Sequence, residues 1–193
     1  VKNKYTFLEK RVTSIVNNGN YTWIAFLGTD GVSHLYKVSS YDLNWRYFKL
    51  NVSADSISKI ILDDAWLYLA LDSDLYIGET ILLGNPLANY NYITKPVGIV
   101  EKAIDVAVSA NYIYFLIPGE ITGTNAKVIQ YSKDLEYIVT VDLIQSGDII
   151  TDAKKISVDS NENIWVISGI NPVVLTKIVI TGTSYIFSSY TLS

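Results

Sequence analysis

The sequence predicts an all-β repeat protein of four units, each about 46 residues long. Three features carry that expectation. A strand–turn–strand pattern recurs four times, a large aromatic returns at a nearly fixed interval, and no apolar stretch is long enough to span a bilayer.

The first unit opens with Val12–Val16, turns at Asn17-Asn18-Gly19-Asn20 and continues in Trp23-Ile24-Ala25-Phe26. Asn18-Gly19 is a strong tight-turn signal, because both residues tolerate positive φ. The second unit reads Ile60-Ile61-Leu62, turn Asp63-Asp64, then Leu67-Tyr68-Leu69. The third reads Ile104–Val108, turn Ser109-Ala110-Asn111, then Ile113-Tyr114-Phe115. The fourth reads Ile156-Ser157-Val158, turn Asp159–Asn163, then Ile164-Trp165-Val166-Ile167. The aromatic falls at Trp23, Tyr68, Tyr114 and Trp165, at intervals of 45, 46 and 51 residues. A second hairpin supports the period: Val38–Trp45 resembles Tyr131–Tyr137, and their aspartates Asp42 and Asp134 stand two units apart. One local competitor exists, since Ile57, Ile60 and Ile61 also sit at helical spacing within Ser53–Asp64. The repeat register favours a strand there.

A period of 40–50 residues with several strands per unit is the pattern of a β-propeller blade. Inner strands packed on both faces should read as continuous apolar runs, as Ile113–Ile117 and Ile164–Ile167 do. Strands nearer solvent should alternate, as Tyr36-Lys37-Val38-Ser39 does. The motif Ile156-Ser-Val-Asp159-Ser-Asn161-Glu-Asn163-Ile-Trp165-Val166 resembles the inner hairpin of blades in NHL-type and related propellers. The resemblance implies one propeller-like domain over 1–193, with repeats near 11–56, 57–102, 103–152 and 153–193. Four blades close on themselves, as in hemopexin-like domains, or form an arc of a larger propeller. The closed ring is preferred, with Tyr5–Leu8 completing the outer edge of the last blade. A β-sandwich is the remaining alternative.

Composition narrows the functional classes. The net charge is -4, and no Lys/Arg cluster offsets it, which removes the electrostatic footprint of a nucleic-acid binder. Membrane insertion is not expected, and Val1–Lys4 is not followed by the apolar run of a signal peptide. There is no cysteine, which excludes disulfides and thiolate chemistry. There is no methionine either, so a processed product or a domain of a longer protein is expected. A mean hydropathy of +0.23 argues against disorder.

Chemistry-bearing candidates are few. The single histidine, His34, reads as a strand-edge or surface residue rather than a catalytic one. No nucleophile elbow, P-loop or dinucleotide fingerprint occurs. Asp159-Ser-Asn161-Glu-Asn163 resembles the start of a calcium loop, but Ile164 and Ile170 stand where glycine and the closing acid belong, so a hairpin turn is preferred. Asp63-Asp64 and Asp72-x-Asp74 are acid pairs best read as solvated turn residues. No catalytic residue, metal ligand or cofactor is therefore assigned. Asn20 and Asn51 match the N-glycosylation pattern at chance frequency.

Binding residues are sought instead among exposed aromatics. Tyr90 and Tyr92 lie in the segment Gly78–Gly98 that departs most from the repeat, and Trp45 and Tyr47 form a second group. Tyrosines interleaved with Asn suit stacking on a protein surface or a sugar ring; an outer strand at Tyr90–Thr94 is the plainer reading.

The expected function is a non-catalytic binding or structural module of a larger surface or particle protein. Its partner is expected to be a protein or a glycan, and assembly into a viral or phage tail, fibre or capsid at an extracellular or virion surface would suit the composition. The alternative is a carboxylate- or metal-dependent hydrolase or lyase, which needs acids such as Asp63, Asp105 and Asp159 to converge from three blades.

Overall fold

The computed structural model describes residues 11–29, 31, 33–41, 45–49, 57–63, 66–71, 75–79, 90–93, 103–119, 125–145, 148–150, 152–169 and 172–192. They form four four-stranded antiparallel sheets, one after another along the chain. Blade 1 is β1 (Arg11–Asn17), β2 (Tyr21–Leu27), β3 (Ser33–Ser39) and β4 (Trp45–Lys49). Blade 2 is β5 (Ile57–Asp63), β6 (Trp66–Leu71), β7 (Leu75–Glu79) and β8 (Tyr90–Ile93). Blade 3 is β9 (Asp105–Val108), β10 (Tyr112–Ile117), β11 (Lys127–Ser132) and β12 (Tyr137–Asp142). A two-stranded hairpin, β13 (Ile144–Gln145) and β14 (Asp148–Ile149), follows it. Blade 4 is β15 (Ala153–Val158), β16 (Ile164–Ser168), β17 (Val173–Thr181) and β18 (Ser184–Leu192).

Every blade is a meander in which neighbours in sequence are neighbours in the sheet. The turns explain why. In the β1–β2 turn, Asn17 Oδ1 accepts the Gly19 N–H at 2.6 Å, and Asn18 Oδ1 accepts those of Asn20 and Tyr21. Gly19 carries φ +89°, where a Cβ would be strained. The segment around Ile57–Ile61 is strand β5, so repeat register prevails over helical spacing.

Blades stack face to face, and each seam holds one apolar cluster. Trp23, Ala25 and Leu35 of blade 1 meet Ile57, Ile60 and Leu67 of blade 2. Tyr68 and Ala70 of blade 2 meet Val106, Ile113 and Phe115 of blade 3. Tyr114, Leu116 and Val128 of blade 3 meet Ile156, Ile164 and Val166 of blade 4. Burying one such side chain stabilises the fold by about 2 kcal/mol. Phe115 and Tyr131 add an edge-to-face contact at 6.0 Å within blade 3.

Strand β10 is covered on both faces, as its unbroken apolar sequence requires. Strand β16 is not. Ile164, Val166 and Ser168 are buried, whereas Trp165 is half-buried and Ile167 exposed, so the run Ile164–Ile167 alternates instead of lying in a two-sided core. Innermost strands pack in sequence, β1 on β5, β5 on β9 and β9 on β15. Among the described residues nothing covers the far face of blade 4, and they form an open arc of blades. The preferred closed ring is thereby corrected, and four separate sheets in series dispose of the sandwich. Blade 4 takes its outer strand from β18; Tyr5–Leu8 lie outside the described residues. Among the described residues no helix is long and apolar enough to cross a membrane.

Candidate functional site

The four innermost strands surround an axial groove. One cavity of about 350 Å³ is lined by Ile15, Lys59, Ile60, Val106, Ile156 and Ser157, among others. A second, of about 430 Å³, opens at the turn end, where Asp63, Ser109, Asp159, Ser160 and Glu162 converge from three blades. Propeller geometry makes this inevitable: each blade delivers its first β-turn to the same end of the axis.

The acids there already hold partners. Asp159 Oδ2 accepts from Trp165 Nε1 at 3.0 Å, and its two oxygens accept from the Asn163 amide group. Its Oδ1 also takes the backbone N–H groups of Asn161 and Asn163. The Trp165 and Asn163 bonds, ahead of all else, hold its carboxyl well below the usual carboxylate range. This is a carboxylate that closes its own turn, in the hairpin that joins β15 to β16. Glu162, at φ +61°, reaches across to blade 3, where its carboxylate accepts from Asn111 Nδ2 at 3.1 Å and the Tyr114 hydroxyl at 3.2 Å. Burial, then the Glu162 charge, pushes the Tyr114 hydroxyl upward. Asp63 on β5 receives Lys133 Nζ from blade 3, and the same ammonium lies 3.3 Å from the Tyr68 hydroxyl.

Asp105 serves another seam. It is 1% exposed at the start of β9, where Oδ2 accepts the Ile156 N–H of blade 4 at 3.0 Å. Oδ1 faces Lys59 Nζ of blade 2 at 3.8 Å. Four residues separate Asp105 from Ser109, about 13 Å of extended strand, so it stands well away from the acids at the turn end. Asp63 and Asp159 share a cavity; Asp105 does not join them. Among the described residues no group of three or more His, Asp or Glu side chains is placed to hold a metal.

The other predicted residues fall elsewhere. Trp45 and Tyr47 lie on β4, where they pair with Val38 and Tyr36. Tyr90 and Tyr92 lie on β8, where they pair with Gly78 and Tyr76. Both are the outermost strands of their sheets, far from the axis, and the plainer outer-strand reading of Tyr90–Thr94 agrees with β8. Asp64, Asp72, Asp74, Asn51 and most of Gly78–Gly98 lie outside the described residues. His34 needs correction: it is buried on β3 between β2 and β4, opposite Phe26 and Lys49, and is neither a surface nor an edge residue. Its flanking Leu35, packed in the first seam, fixes the strand as an interior one.

No family model matches the chain, and no curated protein matches it. Solved structures do resemble it in shape. The β-propeller domain of Cps50 (Swd1) from Myceliophteria thermophila aligns with a TM-score of 0.66 at 11% identity, over 94% of this chain and 59% of that one. The fold is that of a β-propeller. A chain of the COPII outer coat vertex aligns at 0.66 and 12% identity, over 88% of this chain and 47% of its own. The Pan2 WD40 domain of Neurospora crassa aligns at 0.59 and 11% identity, over 89% and 48%. This propeller arc thus spans between about half and three-fifths of the length of these neighbours. At such identities the likeness concerns the fold alone.

Sequence reasoning missed the residues that tie the blades: Lys133, Tyr68, Glu162 and Tyr114. The repeat did align Tyr68 with Tyr114. No sequence signal linked either to its partner, because those partners lie 65 and 48 residues away on the next blade.

Proposed function

We propose that this chain is a non-catalytic interaction and scaffold module built on propeller blades. One observation carries the reading: among the described residues, the acids that face the axis or its seams are engaged in holding turns and seams together. Asp63, Asp105, Asp159 and Glu162 each accept hydrogen bonds from the protein itself. A carboxylate that took a metal or a substrate proton at its bonded oxygen would have to give up the bond that holds its turn or seam. The neighbours named as a coat vertex and as WD40 and propeller domains support a role in protein assemblies.

The partner is a protein, met by the outer strands β4 and β8 through Trp45, Tyr47, Tyr90 and Tyr92. Aromatic residues on a rigid edge give large contact area at small entropic cost. A glycan partner is the second reading on the same residues. The NHL-type likeness rests on the repeated motif, above all Ile156–Val166, and placement in a viral or phage particle rests on composition and the lack of a housekeeping motif.

The test is photo-crosslinking in the native source, with a crosslinking residue at position 47 or 92. A recurring protein adduct is expected, and Tyr47→Ser with Tyr92→Ser should weaken its capture about tenfold at unchanged melting temperature. Adducts absent at both positions, or capture unaffected by the substitutions, would overturn the assignment. Binding on a glycan array that is lost in the same variants would select the second reading.

A further inference from the structure

The recurring aromatic has two fates. Trp23, Tyr68 and Tyr114 are buried because the next blade covers them. Trp165, at the same register on blade 4, is only half-buried, overlain by Lys177 Nζ and by Tyr190 of its own sheet. Two residues on, Ala25, Ala70 and Leu116 are sealed in seams, whereas Ile167 is 38% exposed. Exposed Ile186, Tyr190 and Leu192 on β18 extend this apolar surface, which belongs to the face that every other blade presents to its successor.

The opposite end of the arc carries the matching defect. Ile15 pairs with Ile24 as Ile60 pairs with Leu69, Val106 with Phe115 and Ile156 with Val166. Those later residues are 1%, 1% and 7% exposed; Ile15 is 60% exposed. Val12, paired like Ile57 near the strand start, is open while Ile57 is sealed. Blade 4 therefore offers the first half of a seam, and blade 1 offers the second half.

We infer that two copies of this chain associate head to tail, blade 4 of each packing on blade 1 of the other, to close one ring. The three internal seams set the packing that the two new seams repeat. The arc's extent suits two copies, since it spans 59%, 48% and 44% of three solved propeller or WD40 domains, leaving space for about one further arc. A head-to-tail contact closes when its rotation completes the circle, and two half-rings do so with two-fold symmetry. Lys155 stands on blade 4 at the register that Ser14 and Asp105 hold on blades 1 and 3, where they meet Ile60 and Ile156 of the following blade, so across the new seam Lys155 meets Ile15.

The test is sedimentation of the purified 193-residue chain across about 1–100 μM. A species of twice the 21.5 kDa chain mass is expected. Ile167→Asp and Ile15→Asp, at opposite ends, should each weaken association at least tenfold with an unchanged circular dichroism spectrum. Because the chain has no cysteine, Ile15→Cys with Lys155→Cys adds a second readout: a short bis-maleimide should link two chains covalently. A monomer at the highest concentration overturns the inference, as does growth into open chains of increasing mass. Should either aspartate variant misfold, the unsubstituted chain and the cysteine pair still decide.

Discussion

The Asp105 carboxylate of blade 3 accepts the Ile156 N–H of blade 4 at 3.0 Å while sealed from solvent. A side chain thus satisfies a backbone group beside the irregular register between Ala153 and Lys155, where β15 departs from its ladder with β16. Ser14 does the same for Ile60 beside the irregularity in β5. The two contacts show a rule of assembly: each supports the next blade's inner strand where its own pairing falters.

Removing this acceptor should be costly. Asp105→Ala leaves the Ile156 N–H without its partner and Lys59 without its counter-charge, and is expected to lower stability by about 3 kcal/mol. Asp105→Asn keeps an acceptor and should lose about 1 kcal/mol. Urea unfolding measures both. Equal losses would mean that the carboxylate charge beside Lys59, which both variants remove, and not the hydrogen bond to Ile156, is what the site requires.

Two glycines separate conformational cost from steric cost. Gly19 has φ +89° with open space where a Cβ would stand, so Gly19→Ala should cost only about 1 kcal/mol. Gly169 has φ +76°, and a Cβ there would press into the Pro172 carbonyl oxygen. Gly169→Ala adds that clash and should cost about 3 kcal/mol or more. Thermal unfolding of the two variants should rank them in that order.

The blade pattern was legible because it is local. Asn17–Asn20 and Asp159–Asn163 make their turns with their own side chains, and the aromatic interval marks the second strand of each blade. Seam chemistry was not legible, since Lys133 and Asp63 are 70 residues apart and nothing near either announces the other. His34 was misplaced because a polar residue beside a turn looks superficial until β2 and β4 flank it. Open versus closed could not be read either: Ile167 has the same sequence character as Leu116, and only the missing neighbour distinguishes them.

Acid should act through Asp159. Its folded carboxyl is held below the ordinary value by the Trp165 and Asn163 bonds. A depressed folded pKa gives stability that is present above the unfolded value, near 4, and lost as pH falls below it. Asp159→Asn and Trp165→Phe should both flatten the loss of stability below about pH 4. Denaturant midpoints at neutral and acid pH check this; an unchanged slope in both variants would assign acid sensitivity to other carboxylates.

Alkali should act through the seam and core tyrosines. Burial pushes the Tyr131 hydroxyl up to about 12, and it raises Tyr68 and Tyr114 as well. Below about pH 10 these groups are neutral in both states and cost nothing. Above it the unfolded chain releases their protons while the folded chain retains them, so the unfolded state gains and stability declines as pH rises. For Tyr131 alone the loss approaches about 2 kcal/mol by pH 12. Tyr131→Phe removes that proton from both states, so its stability should fall less steeply between about pH 10 and 12. Tyr114→Phe should share the shallower slope but begin from a lower neutral stability, because Glu162 loses a hydrogen-bond donor across the seam. Unfolding followed by circular dichroism over that range separates the two effects, since slope reports the titration and the neutral-pH value reports the bond.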